Sequence, residues 1–213
     1  MDDRYAEYDV TAKRNSPSWN ELTRKAVDER AALTIPDGVL TETQLATLRR
    51  TKDRLCPDFP SRPPTTTVAM IVRLIESDAG NGSRHADLPG TAECWRRGLD
   101  AIEAEAQTRH ALSFAALADS SADVLLRAVQ TGEVQAEAWA DLPPRLFWSH
   151  HLLNDLVSAH WAQPQAWSAM GFGGPASPRG YVRLDANRRD PWEAIEHGAT
   201  RRFGLPRRSG GAR

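Results

Sequence analysis

Apolar side chains recur at helical spacing in segment after segment of this chain, and this periodicity is the feature that most limits its fold. Three capping-box patterns, Ser18 with Glu21, Thr41 with Gln44 and Ser120 with Asp123, each precede such a segment. Further helices are predicted over residues 66–78, 91–111, 120–131 and 144–162. No segment alternates apolar and polar residues as a half-buried strand would. The sequence therefore predicts an all-α fold of five to seven helices.

The ends of the chain differ in composition from its middle. Residues 1–15 are polar and charged, and they predict a mobile N-terminal arm. Residues 16–203 are expected to form a single helical domain, and the basic, Gly-rich residues 204–213 a flexible tail. Within the domain, residues 162–190 are rich in Gly and Pro and predict a long irregular segment near the C-terminus.

The charge balance argues against a nucleic-acid partner. The 213 residues contain 27 Lys and Arg against 28 Asp and Glu, a net charge of −1, so no basic excess is available to neutralise a phosphate backbone. No apolar run approaches the length of about 18 residues that a membrane-spanning helix needs. The N-terminal residues also lack a Sec or twin-arginine signal, so the chain is expected in the cytoplasm, and in the periplasm only if a signal-bearing partner exports it.

The stretch GFGGPASPRG, residues 171–180, raises the question of a phosphate-binding loop. A P-loop requires a Lys followed by Ser or Thr, and a dinucleotide loop requires a strand before it and a helix after it. This stretch has neither, and Pro175 and Pro178 remove two backbone N–H groups that would hold a phosphate. A nucleotide site is therefore not expected here.

Three histidines lie in or at the end of the helix predicted over 144–162. His151 and Asp155 are one helical turn apart, and with His160 they define the hypothesis of a small metal-dependent enzyme. The simpler interpretation is a histidine bonded to the neighbouring carboxylate. The carboxylates Glu103, Glu105, Asp119 and Asp123 are expected on solvated helix faces, so they do not predict an acid–base pair.

The two cysteines, Cys56 and Cys94, lack the spacing of a zinc site. We expect two buried or half-buried free thiols, with a disulfide as the alternative. Cys94 lies in the first turn predicted for its helix, where the helix dipole would lower its pKa.

Three stretches resemble the gluconate 2-dehydrogenase subunit 3 family, and the resemblance covers residues from about 40 to 195. They are TETQLATLRRTKDRLCPDFP, RGLDAIEAEAQTRHALSFAALADSSADVLLRAVQTGE and HWAQPQAWSAMGFGGPASPRGYVRL. The third is the most specific, because a Trp precedes a Gly-Phe and Gly-Pro loop and a Gly-Tyr pair.

The resemblance implies a non-catalytic helical subunit that stabilises and helps mature a large flavin-dependent oxidoreductase of the glucose–methanol–choline type. The partner would hold the FAD and oxidise a sugar or a similar alcohol, and this chain would bind no cofactor or metal. The residues expected at the partner interface are Trp161, Trp167, Phe172, Gly174, Pro175, Gly180 and Tyr181. A free-standing helical protein-binding module remains a further alternative.

Overall fold

The computed structural model describes residues 3–79, 84–177, 180 and 192–195. These residues form helices and no strand, which confirms the predicted all-α fold. The helices are α1 (Glu21–Ala31), α2 (Glu42–Leu55), α3 (Thr67–Ser77), α4 (Thr91–His110), α5 (Asp119–Thr131), α6 (Pro144–Phe147), α7 (Leu153–Trp161) and α8 (Pro164–Ala169). A π-helical turn, Trp148–Leu152, joins α6 to α7 without a break, so the described chain contains seven separate helices.

The long helix α4 is the centre of the main hydrophobic core. It packs against α2, α3 and α5, and its side chains Trp95, Leu99 and Ile102 are fully buried. The ring of Phe147 lies directly on the α4 backbone at Gly98, where any side chain would collide with it. The same ring meets Trp95 edge-on at a centroid distance of 5.8 Å. A glycine at position 98 therefore fixes how closely α6 approaches α4.

Two helix termini follow the sequence prediction. At α2, the Thr41 hydroxyl accepts from the Gln44 backbone N–H over 3.2 Å, and the Gln44 amide oxygen accepts from the Thr41 N–H over 3.0 Å. At the end of α5, Gly132 takes the left-handed conformation with φ of +79°, as a C-terminal glycine does.

Two other predicted caps are wrong. The α1 cap is Asn20, whose side chain accepts from the Thr23 N–H over 2.8 Å, and not Ser18. The backbone at Asn20 is extended because its N–H donates to the carbonyl of Ser177, so the helix begins only at Glu21. The helix α5 begins at Asp119, before Ser120, and the Asp123 carboxylate pairs with Arg54 instead of reaching back to a cap.

A second, smaller hydrophobic cluster lies beside the main core. It consists of Val10, Trp19, Val27 and Trp167, with Tyr8 packed against it. It joins the first residues of the chain to α8 and to the loop that follows. We call residues 3–20 the N-terminal strap, because they run across this loop.

Arg62 holds the start of the N-terminal strap. Its guanidinium pairs with the Asp3 carboxylate over 2.7 Å and donates to the backbone carbonyls of Tyr5 and Tyr8 over 2.5 and 2.6 Å. The domain bounds 1–15, 16–203 and 204–213 remain a prediction, and the tail lies outside the described residues. What the structure adds is a set of specific contacts for residues 3–14, where the sequence indicated only an arm.

Candidate partner interface

Six of the seven residues expected at the interface lie in the described part of the chain. Trp161 ends α7, Trp167 lies in α8, and Phe172, Gly174 and Pro175 follow α8. The short helix α8 falls inside residues 162–190, which the sequence treats as irregular. Gly180 has φ of +76°, and its N–H donates to the Ala176 carbonyl over 2.7 Å. Tyr181 lies outside the described residues.

The inner side of this segment faces the N-terminal strap. Trp167 is only 5% exposed, and its indole N–H donates to the Trp161 carbonyl over 2.6 Å. Gly174 is buried with φ of +63°, and a Cβ there would lie 3.0 Å from the Trp167 ring and 3.1 Å from Val10. Trp167 and Gly174 therefore position the loop from within.

Pro175 is tied to the N-terminal strap through its carbonyl group. This oxygen accepts from the Trp19 indole N–H over 2.8 Å and from the Lys13 ammonium over 3.1 Å. Lys13 is buried, and its ammonium lies 5.7 Å from the centre of the Trp19 ring, a cation–π geometry. One backbone oxygen therefore accepts hydrogen bonds from two side chains of the strap.

The outer side of the segment is apolar and exposed. Trp161, Met170 and Phe172 expose 37, 44 and 38% of their surface, and we call these three residues the apolar rim. The buried Trp167 supports two of them, since its ring meets the Phe172 ring edge-on at 6.2 Å and its indole N–H donates to the Trp161 carbonyl. Aromatic and methionine side chains of this kind are enriched at protein–protein interfaces.

A buried polar cluster fixes the start of α8 to the helices behind it, and no local pattern in the sequence predicts it. The Gln163 side chain accepts from the Thr66 N–H over 2.7 Å and donates to the Thr67 hydroxyl over 3.2 Å. His160 lies beside Thr67, with its Nδ1 3.5 Å from that hydroxyl. Behind them the buried Lys52 ammonium contacts the Asp58 carboxylate at 2.5 Å. Burial, and then the Lys52 charge, lower the pKa of His160.

The three residues of the metal hypothesis do not come together. His151 Nδ1 lies 3.3 Å from Asp155 Oδ2, as the helical spacing predicts. His160, however, is buried in the polar cluster with Thr67 and faces Trp161 edge-on. Across residues 3–79, 84–177, 180 and 192–195, no group of three or more His, Cys, Asp or Glu side chains could hold a metal ion.

The carboxylates expected on solvated faces fall into two groups. Asp119 and Asp123 are exposed and pair with Arg50 and Arg54 on α2. Glu105 is fully buried, and here the prediction is wrong. Its carboxylate accepts from the backbone N–H groups of Gln135 and Ala136, at distances of 2.8 to 2.9 Å, and from Arg109 over 2.5 Å.

Glu103 is half-buried, so it too departs from the expected solvated face. Its carboxylate accepts from the Thr47 hydroxyl over 3.2 Å and from the Phe114 N–H over 2.9 Å. These two glutamates therefore join helices and loops, and neither is placed for acid–base chemistry. Burial is the largest single influence on the pKa of Glu105, and it raises that pKa. The hydrogen bonds from Ala136, Arg109 and Gln135 together outweigh burial, so the pKa is lowered.

Both cysteines are buried free thiols, as expected. The expected lowering of the Cys94 pKa is wrong, because burial raises the pKa of this thiol to about 12. Burial likewise raises the pKa of Cys56. Neither thiol is activated in this structure.

The family model for gluconate 2-dehydrogenase subunit 3 matches residues 42–174. The match covers more than half of the chain, from the start of α2 to the glycine that packs under Trp167. The chain belongs to this family. Since the family is defined as a subunit of a dehydrogenase, membership implies association with a dehydrogenase catalytic subunit.

No curated protein and no solved structure matches this chain. None of the helices in its described part is long and apolar enough to cross a membrane. The N-terminal strap precedes the matched residues 42–174, so the hydrogen bonds from Lys13 and Trp19 to the loop come from outside the matched part of the chain.

Proposed function

We propose that this chain is the non-catalytic accessory subunit of a flavin-dependent dehydrogenase or oxidase that acts on a sugar, a glycoside or a sugar acid. The large partner subunit holds the FAD and performs the oxidation. The accessory subunit stabilises that partner and helps it mature. The complex is a heterodimer or a higher heteromer.

The observation that carries this proposal is the apolar rim, whose residues lie at the end of α7 and directly after α8. Trp161, Met170 and Phe172 are exposed together beside a buried Trp167, so the loop offers apolar area with little freedom to lose on binding. Family membership supplies the partner class, a dehydrogenase catalytic subunit. Of the residues expected at the interface, Trp161 and Phe172 suit direct contact, while Trp167, Gly174 and Pro175 hold the loop.

The cytoplasm is the proposed compartment. The periplasm is the alternative, if a signal-bearing partner exports the complex. Subcellular fractionation of the native host, with an antibody to this chain, tests the compartment directly.

Co-expression tests the proposed function itself. The chain is expressed alone, the partner flavoprotein alone, and the two together, and the FAD content of the purified flavoprotein is read from its visible absorption. Co-expression is expected to raise both the soluble yield and the fraction of flavin-loaded partner, and the two chains are expected to elute together in size-exclusion chromatography.

A flavoprotein with the same yield, flavin content and activity with or without this chain would contradict the proposal. Elution as two separate species would do so as well, and it would instead favour a free-standing binding module.

A further inference from the structure

An open cleft lies between the end of α3 and the turn that joins α6 to α7, away from the apolar rim. Its volume is about 830 Å³, within the range of small-molecule sites. Asp78, His85 and Thr91 line one side, and His151 and Asn154 line the other. Several of its polar groups already make hydrogen bonds within the chain. The donor and acceptor atoms that remain indicate which class of ligand the cleft can bind.

The cleft contains an imidazole with a fixed orientation. His151 Nδ1 lies 3.3 Å from Asp155 Oδ2, and the same oxygen accepts from the buried Trp95 indole N–H over 3.0 Å. The carboxylate therefore holds the His151 proton on Nδ1, which leaves Nε2 as an acceptor in the neutral ring.

The backbone is irregular where it delivers this histidine. His151 lies within the π-helical turn Trp148–Leu152, which interrupts an otherwise regular helix. Such turns are rare and occur frequently at functional sites. Here the turn also places His150 against His85, with their ring centres 5.3 Å apart, so both imidazoles lie at the cleft wall.

Donors and acceptors in the cleft are balanced. The Asp78 Oδ1 atom caps α4 through the Ala92 N–H at 2.8 Å, which leaves Oδ2 to accept. The Asn154 amide group donates to Asp155 over 3.4 Å, which leaves its carbonyl oxygen to accept. His85 Nδ1 accepts from the Asp87 N–H over 3.2 Å, so the neutral ring carries its proton on Nε2 as a donor.

The guanidinium of Arg84, which is exposed at the cleft edge, adds further donors. Donors predominate in sites for anions and acceptors in sites for cations, whereas this cleft offers both. A hydroxyl group both donates and accepts, so several hydroxyl groups on one ligand match this mixture. Leu74 and Leu88 also line the cleft and offer apolar contact to the carbon face of such a molecule.

We propose that this cleft binds a small, neutral, polyhydroxylated molecule. His151, Asn154 and Asp78 accept from its hydroxyl groups, and Arg84 and His85 donate to them. The site is formed by this chain alone, so the proposal does not depend on the flavoprotein partner or on the function proposed above.

Titration of the full chain with myo-inositol tests the proposal, with the histidine ring Cε1–H signals followed by NMR. Saturable shifts are expected for His85 and His151, while His110 and His160, which do not line the cleft, stay unchanged. Arg84→Gln and Asn154→Ala are each expected to raise the dissociation constant about fivefold, the effect of losing one or two hydrogen bonds. Arg127→Gln, which changes an exposed arginine on α5, is the matched control and is expected to bind as the unaltered chain does.

Two results would overturn the proposal. One is the absence of any saturable shift at His85 and His151 with myo-inositol. The other is tight binding of inorganic phosphate with none of the polyol, which would show that the donors dominate and that the site takes an anion. Because all arms use the isolated full chain, neither result bears on assembly with the flavoprotein.

Discussion

The indole N–H of Trp19 donates a 2.8 Å hydrogen bond to the carbonyl of Pro175, and this bond joins positions 156 residues apart in the sequence. The Lys13 ammonium donates to the same oxygen over 3.1 Å. Since a carbonyl oxygen has two lone pairs, these two donors satisfy it. The candidate interface loop is therefore positioned by the N-terminal strap as well as by α8.

Met170→Glu is expected to weaken binding of the catalytic subunit by about 2 kcal/mol or more, because it places a charge in a surface that assembly removes from water. Met170 is 44% exposed, so the melting temperature of the isolated chain should change little. Leu112→Glu, at a residue that is 50% exposed and lies outside the apolar rim, is the control. Surface plasmon resonance measures the affinity of both variants for the flavoprotein. Equal affinities of the two variants would show that the apolar rim is not part of the interface.

Gly174→Ala is expected to destabilise the chain by about 2–4 kcal/mol. The left-handed backbone costs a side chain about 1 kcal/mol or more, and the new methyl group would crowd Trp167 and Val10. Gly38→Ala isolates the backbone cost, since Gly38 has φ of +75° with no atom within 4 Å of an added Cβ. Urea denaturation compares the two variants. A similar loss at both positions would mean that the strap does not pack against the loop.

Glu105→Gln is expected to cost about 2–4 kcal/mol of unfolding free energy, because it removes the negative charge that faces Arg109 and two backbone N–H groups in a buried site. The control, Glu93→Gln, removes a largely exposed partner of Arg97 and is expected to stay within about 0.5 kcal/mol of the unaltered chain. Chemical denaturation near neutral pH measures both.

His160 is expected to make stability fall as the pH drops below about 6.5, the reference pKa of an unfolded histidine. Burial, and then the Lys52 charge, lower its folded-state pKa, so between the two pKa values the unfolded chain binds the proton and the folded chain does not. Above pH 6.5 both states are neutral, and the residue adds no pH dependence. Asp58, whose pKa is lowered from 3.8, titrates in a more acidic window.

Unfolding free energies from pH 8 to pH 5 for the unaltered chain and for His160→Gln test this expectation. The slope below pH 6.5 should become shallower in the variant. An unchanged slope would assign the pH dependence to another group.

Alkylation tests the state of the thiols. The raised pKa of Cys94, about 12, and the burial of both cysteines predict that neither reacts with iodoacetamide at pH 8 in the folded chain. Both should react once the chain is unfolded in guanidinium chloride, and mass spectrometry counts the labels. Rapid labelling of the folded chain at either cysteine would contradict the buried positions described above.

Features that depend on near neighbours in sequence could be predicted. The capping box of Thr41 and Gln44 requires residues three apart, and the helical spacing of His151 and Asp155 requires one turn, so the sequence alone indicates both contacts. The all-α fold follows for the same reason, since apolar periodicity is a local property.

Features that depend on distant partners could not be predicted. Glu105 lies between two alanines on α4, near Gln107 and Arg109, and resembles a solvated side chain, but the segment at Gln135 and Ala136 brings two backbone N–H groups to it. Lys52 and His160 are far apart in sequence, and only the packing of α2 against α7 places them in one cluster. The Gly and Pro content of residues 162–190 predicts an irregular segment and gives no sign of the helix at Pro164–Ala169.

The closure of the loop by the N-terminal strap has a consequence for biosynthesis. Val10 and Trp19 are synthesised more than 150 residues before their partners Ser168 and Pro175. Until then these residues lack their native packing partners, and contacts of such long range form late in folding. The surface proposed to receive the flavoprotein is thus completed only after Pro175 has been made, so a nascent chain that ends before this residue would lack the complete surface.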